Sequence, residues 1–140
     1  MMSKYILSRV AEMYGYDIDF TCKPVKGDFN GSGMHTNYST VSTRTQVSGY
    51  ESIMSMMKKL ELKHEEHMEV YGQDNHLRMT GLHETSSFDS FSYGVANRGC
   101  SVRIPRETSM KGYGYFEDRR PNAMANPYEV CAKLAKTTIL

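Results

Sequence analysis

The sequence has only three cysteines, no surplus of charge and no long apolar run, and each shortage excludes something. Cys22, Cys100 and Cys131 are odd in number and far apart. They build neither a disulfide framework nor a CxxC zinc pair, which predicts a reducing, cytoplasmic setting. Lysine and arginine number 17 against 16 acidic residues, a formal net charge of +1. A histone-like or polybasic binder needs a positive surplus, so no nucleic acid partner is expected. No stretch approaches the roughly 18 apolar residues of a membrane span, so no membrane partner is expected either. Lys4 and Arg9 interrupt the first ten residues too early for a secretory signal. Internal repeats, low-complexity tracts and Pro/Ser-rich linkers are absent. What remains is a chain of 140 residues, one domain's worth, able to bury about two-thirds of its unfolded surface.

Periodicity divides the chain into mixed elements. Ile6, Val10 and Met13 form a helical stripe over about Ser3 to Tyr14, with Gly15 as its stop. Residues 16–22 alternate apolar and polar and predict a half-buried strand ended by Lys23-Pro24. A glycine-rich loop, residues 25–33, precedes a second predicted strand, Met34 to Thr40. Its alternation sets Met34, Thr36 and Tyr38 on one face and His35, Asn37 and Ser39 on the other. Ser48 and Glu51 make a capping box, and apolar residues at steps of three and four predict one long helix ending at Gly72. The stretch 73–98 reads mainly as loop. Gly99 to Arg106 alternates again, with Val102 and Ile104 opposite Arg103. A turn at Gly112 leads to Tyr113–Arg119, where Tyr115, Glu117 and Arg119 share a face, and the two strands can pair. Asn126-Pro127 caps a final helix running to Leu140. The pattern predicts an α+β fold, an antiparallel or mixed sheet with helices packed on one face.

The arginines are unevenly placed. Of eight, six lie between positions 78 and 120: Arg78, Arg98, Arg103, Arg106, Arg119 and Arg120. Lys111 is the only lysine there. Arginine is preferred where a planar fork must hold a carboxylate or phosphate at two points. The plainer alternative is surface ion pairs with the acidic residues of the same segment. Glu117 among the arginines is also what a metal–nucleotide site needs, the carboxylate holding the cation and the guanidiniums the phosphates. Asn30-Gly31-Ser32-Gly33, leading into His35, lets backbone come close to a ligand, although it is neither a P-loop nor a dinucleotide fingerprint. It also serves as a tight connection. His64 and His67 have the wrong spacing for a zincin helix and read as half-buried helix histidines. His83-Glu84 ends the irregular stretch, as a gate, an acid/base group or a turn cap.

Four blocks then stand in order: Asn30-Gly31-Ser32-Gly33-Met34-His35-Thr36-Asn37, Arg78-Met79-Thr80-Gly81-Leu82-His83-Glu84-Thr85-Ser86, Ala96-Asn97-Arg98 with Arg103-Ile104-Pro105-Arg106, and Tyr115-Phe116-Glu117-Asp118-Arg119-Arg120-Pro121. Together they resemble the C-terminal half of the catalytic domain of glutamine synthetase, in its type II, eukaryote-like form. The resemblance covers Ser3 to Leu140. It implies a glutamine synthetase/guanido kinase-like catalytic fold and ATP-dependent joining of glutamate and ammonia through γ-glutamyl phosphate. It implies Mg2+ or Mn2+, with His35 and Glu117 as ligands of one metal. Asn30, Gly31, Arg78, Arg98 and Arg119 match glutamate-binding positions. His35, Asn37, Ser39, Arg98 and Arg103 match positions at ATP. Glu84 matches the flap glutamate that closes the ammonia site and shields the acyl phosphate, and Arg98 and Arg119 match catalytic positions at the transferred phosphoryl group.

Arginines and metals neutralise the charge around the attacked phosphorus, and water must be kept out. Leu77 stands where a basic residue is common in the family. The resemblance leaves residues 1–140 as the later part of the catalytic domain, without the family's N-terminal β-grasp domain or the first half of the catalytic domain. It therefore implies partners, either a homo-oligomeric ring or full-length glutamine synthetase subunits, and an isolated chain that is inactive alone. Three alternatives stay open: an incomplete paralogue that joins and modulates the full enzyme, a relative that joins glutamate to another amine, and an arginine-rich RNA binder.

Overall fold

The computed structural model describes residues 2–140. Met1 lies outside the described residues. The order of elements is α1 (Met2–Met13), β1 (Thr36–Tyr38), α2 (Gly49–Leu62), α3 (His64–Met68), β2 (Tyr93–Val95), β3 (Val102–Ile104), α4 (Arg106–Lys111), β4 (Phe116–Asp118) and α5 (Pro127–Ile139), with 3-10 turns at Ser42–Arg44 and Asn75–Leu77. Among the described residues no helix is long and apolar enough to cross a membrane.

The strands form one mixed sheet in the order β1-β4-β3-β2. β4 pairs antiparallel with both β1 and β3, and β2 pairs parallel with β3. The α+β expectation holds at that level. Register decides which side chains meet. Thr36 opposes Asp118, and Val102 opposes the same residue from the other side. Tyr38 opposes Phe116. Because side chains alternate, one face therefore carries Tyr38, Phe116, Asp118, Val102 and Ile104. It packs on Ile53, Met57 and Leu60 of α2 and Val130 and Leu134 of α5, which are fully buried. The Tyr38 hydroxyl, 2.8 Å from Thr138 Oγ1, ties β1 to α5. The opposite face carries Asn37, Glu117 and Arg103, in register across three strands.

Several local expectations need correction. Residues 16–22 form no strand, and 21–22 are a bend; an alternating pattern becomes a strand only when a partner lies beside it. The stripe of α1 is not covered: Ile6, Val10 and Met13 are exposed and the helix buries no residue. The long helix is two, broken at Lys63 (φ −109°, ψ 16°) before Gly72 (φ +105°). Ser48 sits at the start of α2 but makes no side-chain cap bond. The Gly112 turn contains the short helix α4, closed by Gly112 at φ +80°. Strand β2 was not expected within 73–98. The final helix starts as expected, with the Asn126 side chain accepting from the Tyr128 amide at 3.1 Å.

Candidate active site

Glu117 is the centre of the polar sheet face. His35 Nδ1 lies 3.1 Å from its Oε1, and Arg103 Nε lies 2.5 Å from its Oε2. Arg119 Nη1 donates to both carboxylate oxygens at 3.4 and 3.3 Å. β1, β3 and β4 bring these four residues together. Burial pushes the Glu117 carboxyl up, but Arg119, Arg103 and His35 outweigh it and hold it below the usual carboxylate range. His35 is pushed down, by burial first and then by Arg119, against the pull of Glu117. Its neutral form has a lone pair for a cation. The Arg103 Nε is buried and, despite its closeness to the carboxylate, lacks a directed hydrogen bond. An imidazole beside a carboxylate suits a hard or borderline divalent cation. Among the described residues no group of three or more His, Cys, Asp or Glu converges, so this chain offers two donors to such an ion.

Beside this centre lies a cleft of 210 Å³ lined by Asn30, Gly31, His35, Arg78, Glu84 and Arg119, among others. Arg78 is almost fully buried, and its guanidinium is aimed from behind. Nε donates to Asn75 Oδ1 at 3.1 Å, and Nη2 donates to the carbonyls of Arg119 and Arg120 at 3.1 and 2.7 Å. Burial lowers its pKa to about 10, leaving it charged at neutral pH. Gly31 of the loop is explained by this side chain. A Cβ on Gly31 would sit 2.4 Å from Arg78 Cγ and 2.8 Å from the Cys22 carbonyl. The backbone there comes closer to Arg78 than any other residue type permits.

Glu84 enters from a loop with unusual backbone. His83 and Glu84 both take left-handed φ, +52° and +58°. Such conformations cost free energy in residues other than glycine and persist where surroundings over-determine them. Arg119 Nη2 donates to the Glu84 carbonyl at 3.0 Å, and Arg98 Nη1 donates to Glu84 Oε1 at 3.2 Å. The Arg98 carbonyl in turn accepts from Arg119 Nε at 3.2 Å. Arg119 thus joins the Glu84 loop, residue 98 and the Glu117 centre.

Most of the expected site residues converge: Asn30, Gly31, His35, Arg78, Glu84 and Arg119 line the cleft, and Arg98, Arg103 and Glu117 contact its walls. Asn37 opposes Glu117 in register but lies outside the cleft, as does Ser39 beyond the end of β1. His64 and His67 are buried helix histidines. His64 Nε2 is 2.8 Å from the Phe88 carbonyl, and His67 lies between Tyr71 Oη and Thr137 Oγ1 at 2.6 and 2.8 Å. Sequence reading missed the supporting residues Asn75, Tyr71 and Asp118. Asn75 holds both Arg78 and, through Nδ2, the Arg120 carbonyl at 2.7 Å. An asparagine in a turn gives no such signal. Asp118 and Arg120 do alternate with the site pair Glu117 and Arg119, and that alternation was a usable sign of a buried ion pair.

No family model matches the chain. The chain is similar to glutamine synthetase of Emericella nidulans, 54% identical over 136 residues, which is 97% of this chain and 38% of the relative. It is 52% identical over 139 residues, 99% of its length, to glutamine synthetase cytosolic isozyme 1-1 of Oryza sativa subsp. japonica, covering 39% of that protein. The chloroplastic glutamine synthetase of the same plant is also 52% identical over 139 residues, 32% of its own length. The chain thus spans 32–39% of the length of these relatives. Identity above one-half, sustained along nearly every residue here, places the chain in the glutamine synthetase family.

Proposed function

We propose that this chain carries the later part of a glutamine synthetase/guanido kinase-like catalytic domain and acts in ATP-dependent joining of glutamate and ammonia through γ-glutamyl phosphate. The observation that carries this reading is the Glu117 centre set against the arginine-walled cleft. Two guanidiniums, Arg103 and Arg119, stand around one carboxylate, Arg78 lines the adjoining cleft, and the surplus positive charge suits an anionic ligand. In this reading Arg78, Asn30 and Gly31 hold the amino-acid end of glutamate. Arg98 and Arg119 stabilise the phosphoryl group as it moves, and Arg103, with His35, Asn37 and Ser39, serves the nucleotide. His35 and Glu117 hold Mg2+ or Mn2+, which supplies charge neutralisation at the phosphates when bound. Glu84, on its pinned loop, closes the ammonia side against water. A cytoplasmic location accompanies the reading.

Two metal donors are too few for a complete coordination shell, so water, the nucleotide and groups from outside residues 1–140 supply the rest. Partner subunits also belong to the proposal, either as a homo-oligomeric ring or as full-length glutamine synthetase subunits. The test is calorimetric titration with ATP and Mg2+, with and without L-glutamate, on the chain alone and mixed with full-length subunits. Binding that glutamate tightens, and that Glu117→Gln weakens at least tenfold, is the expected result. No nucleotide binding in either setting sinks the proposal. Co-assembly with full-length subunits accompanied by loss of glutamine formation selects instead the incomplete paralogue that modulates the full enzyme.

A further inference from the structure

The loop that carries Glu84 and the glycine loop that carries Asn30 and Gly31 face each other across the cleft. A separate groove of 520 Å³, lined by Lys23, Lys26, Asp28, Leu77 and Leu82, lies on their other side. His83 lines both cavities, so it forms the wall between them. Its Nε2 lies 2.8 Å from Asp28 Oδ1, a direct link between the two loops.

The Glu84 loop is well held within itself. Thr85 Oγ1 donates to the Leu82 carbonyl at 2.7 Å, and Thr80 and Ser87 form a bridge at the loop's base. Arg119 and Arg98 hold Glu84 from the sheet side. None of these contacts reaches the glycine loop. The left-handed backbone at His83 and Glu84 still needs a tether on the cleft's outer side, because two adjacent non-glycine residues relax towards ordinary φ when freed.

We infer that Asp28 and His83 are positioning residues: their contact ties the glycine loop to the Glu84 loop and fixes where Glu84 stands over the cleft. Neither touches the reacting atoms. The role rests on the reading of Glu84 given above, but the tie itself does not. When the amino-acid end of a ligand seats at Asn30 and Gly31, Asp28 shifts with the same loop and carries His83 and the Glu84 backbone with it. Occupation of one loop thereby places the other.

The test is amide hydrogen exchange on the full chain with Asp28→Ala, His83→Asn and the double variant. Asp28 is almost fully exposed, so its loss leaves the core intact. Asparagine tolerates left-handed φ and keeps the backbone at 83. Each single variant is expected to speed exchange at residues 82–86 by about two- to fivefold, the scale of an exposed charge contact. Exchange at Val102–Ile104 and Phe116–Asp118 stays unchanged. The double variant is expected to match the singles rather than multiply them. Unchanged exchange in Asp28→Ala, equal acceleration across the whole molecule, or multiplicative effects in the double variant each overturn the tie. L-Glutamate added to the unmodified chain separates the two levels. Slower exchange at both loops, lost in Asp28→Ala, supports the coupling, whereas slowing at both loops that survives in Asp28→Ala overturns it. If glutamate affects neither loop, the reading of the cleft fails while the exchange comparison among variants still decides the tie.

Discussion

Residues 117–120 place two carboxylate–arginine pairs back to back, and the two are built on opposite terms. Asp118 and Arg120 face the helices and are fully buried. Arg120 Nε and Nη2 donate to the two Asp118 oxygens at 2.9 and 2.8 Å, and the Tyr71 hydroxyl donates to the same carboxylate at 2.7 Å. The guanidinium lies over the rings of Tyr71 and Phe91 at 5.1 and 5.2 Å. Asp118 is held below its usual range by Arg120 and Tyr71 despite the burial that pushes it up. This pair is balanced in charge and complete in its hydrogen bonds. Glu117 and Arg119 face the cleft, and there one carboxylate meets two guanidiniums and an imidazole while Arg103 Nε lacks a directed partner. Chemistry alone does not separate the pairs, because the residue types are the same. Completeness does: the inner pair leaves nothing for a ligand, and the outer one leaves positive charge unmatched.

The comparison breaks first at Asp118. Asp118→Ala leaves Arg120 charged, buried and without its carboxylate. The expected loss is about 3–5 kcal/mol, a large part of the roughly 5–15 kcal/mol that keeps a domain folded. Chemical denaturation measures it. A loss below about 1 kcal/mol would mean that the inner pair is no more structural than the outer one.

Acid sharpens the contrast, since the inner network also contains His67. Burial, then Arg120, lowers its pKa from the ordinary 6.5 to about 3. Burial likewise lowers His64, whose Nδ1 is 3.1 Å from Arg120 Nη1. The unfolded chain therefore takes up protons below pH 6.5 that the folded chain refuses. Stability is expected to be flat above that pH and to fall between about 6.5 and 3, by up to about 1.4 kcal/mol per pH unit from His67. His67→Gln should flatten that slope in urea titrations taken at successive pH values. An unchanged slope places the acid sensitivity elsewhere.

Local pattern made much of this legible. Alternation over 34–40 and 113–119 separated His35, Glu117 and Arg119 from Thr36, Tyr38 and Phe116, and the sheet keeps that division. The Asn126 cap and the final helix follow from three adjacent residues. What sequence reading missed is non-local. Tyr93–Val95 becomes a strand only by lying parallel to β3, and Gly94 at its centre hides the signal. Residues 16–22 show the reverse, a sound pattern without a neighbouring strand. The break at Lys63 accompanies the seating of His64 and His67 among Phe88, Tyr71 and Thr137, contacts from 4 to 70 positions away. In the site, the resemblance of four blocks already joins the residues that line the cleft. The residues behind them, Asn75 and Asp28, became visible only when turns distant in sequence met, and so did the contact of Asp28 with His83.

The smallest expected effect is the most discriminating. Arg103 lies on the central part of the polar face, with its Nε close to Glu117 and its hydrogen-bonding direction unmet. Arg103→Gln removes an attraction to Glu117, but it also removes repulsion from Arg119 and the cost of the unmatched buried donor. These contributions oppose one another, so stability is expected to change by no more than about 0.5 kcal/mol. Affinity for ATP with Mg2+ should nevertheless fall at least tenfold if, as proposed, the charge serves the ligand and not the fold. Thermal unfolding and nucleotide titration of the same variant test both halves. A stability loss near 2 kcal/mol would move Arg103 into the class of Arg120 and remove the distinction between the two faces. Unchanged stability together with unchanged nucleotide affinity would leave the surplus charge of the outer face without its ligand, and the cleft would have to be read again from Arg78 and Arg119 alone.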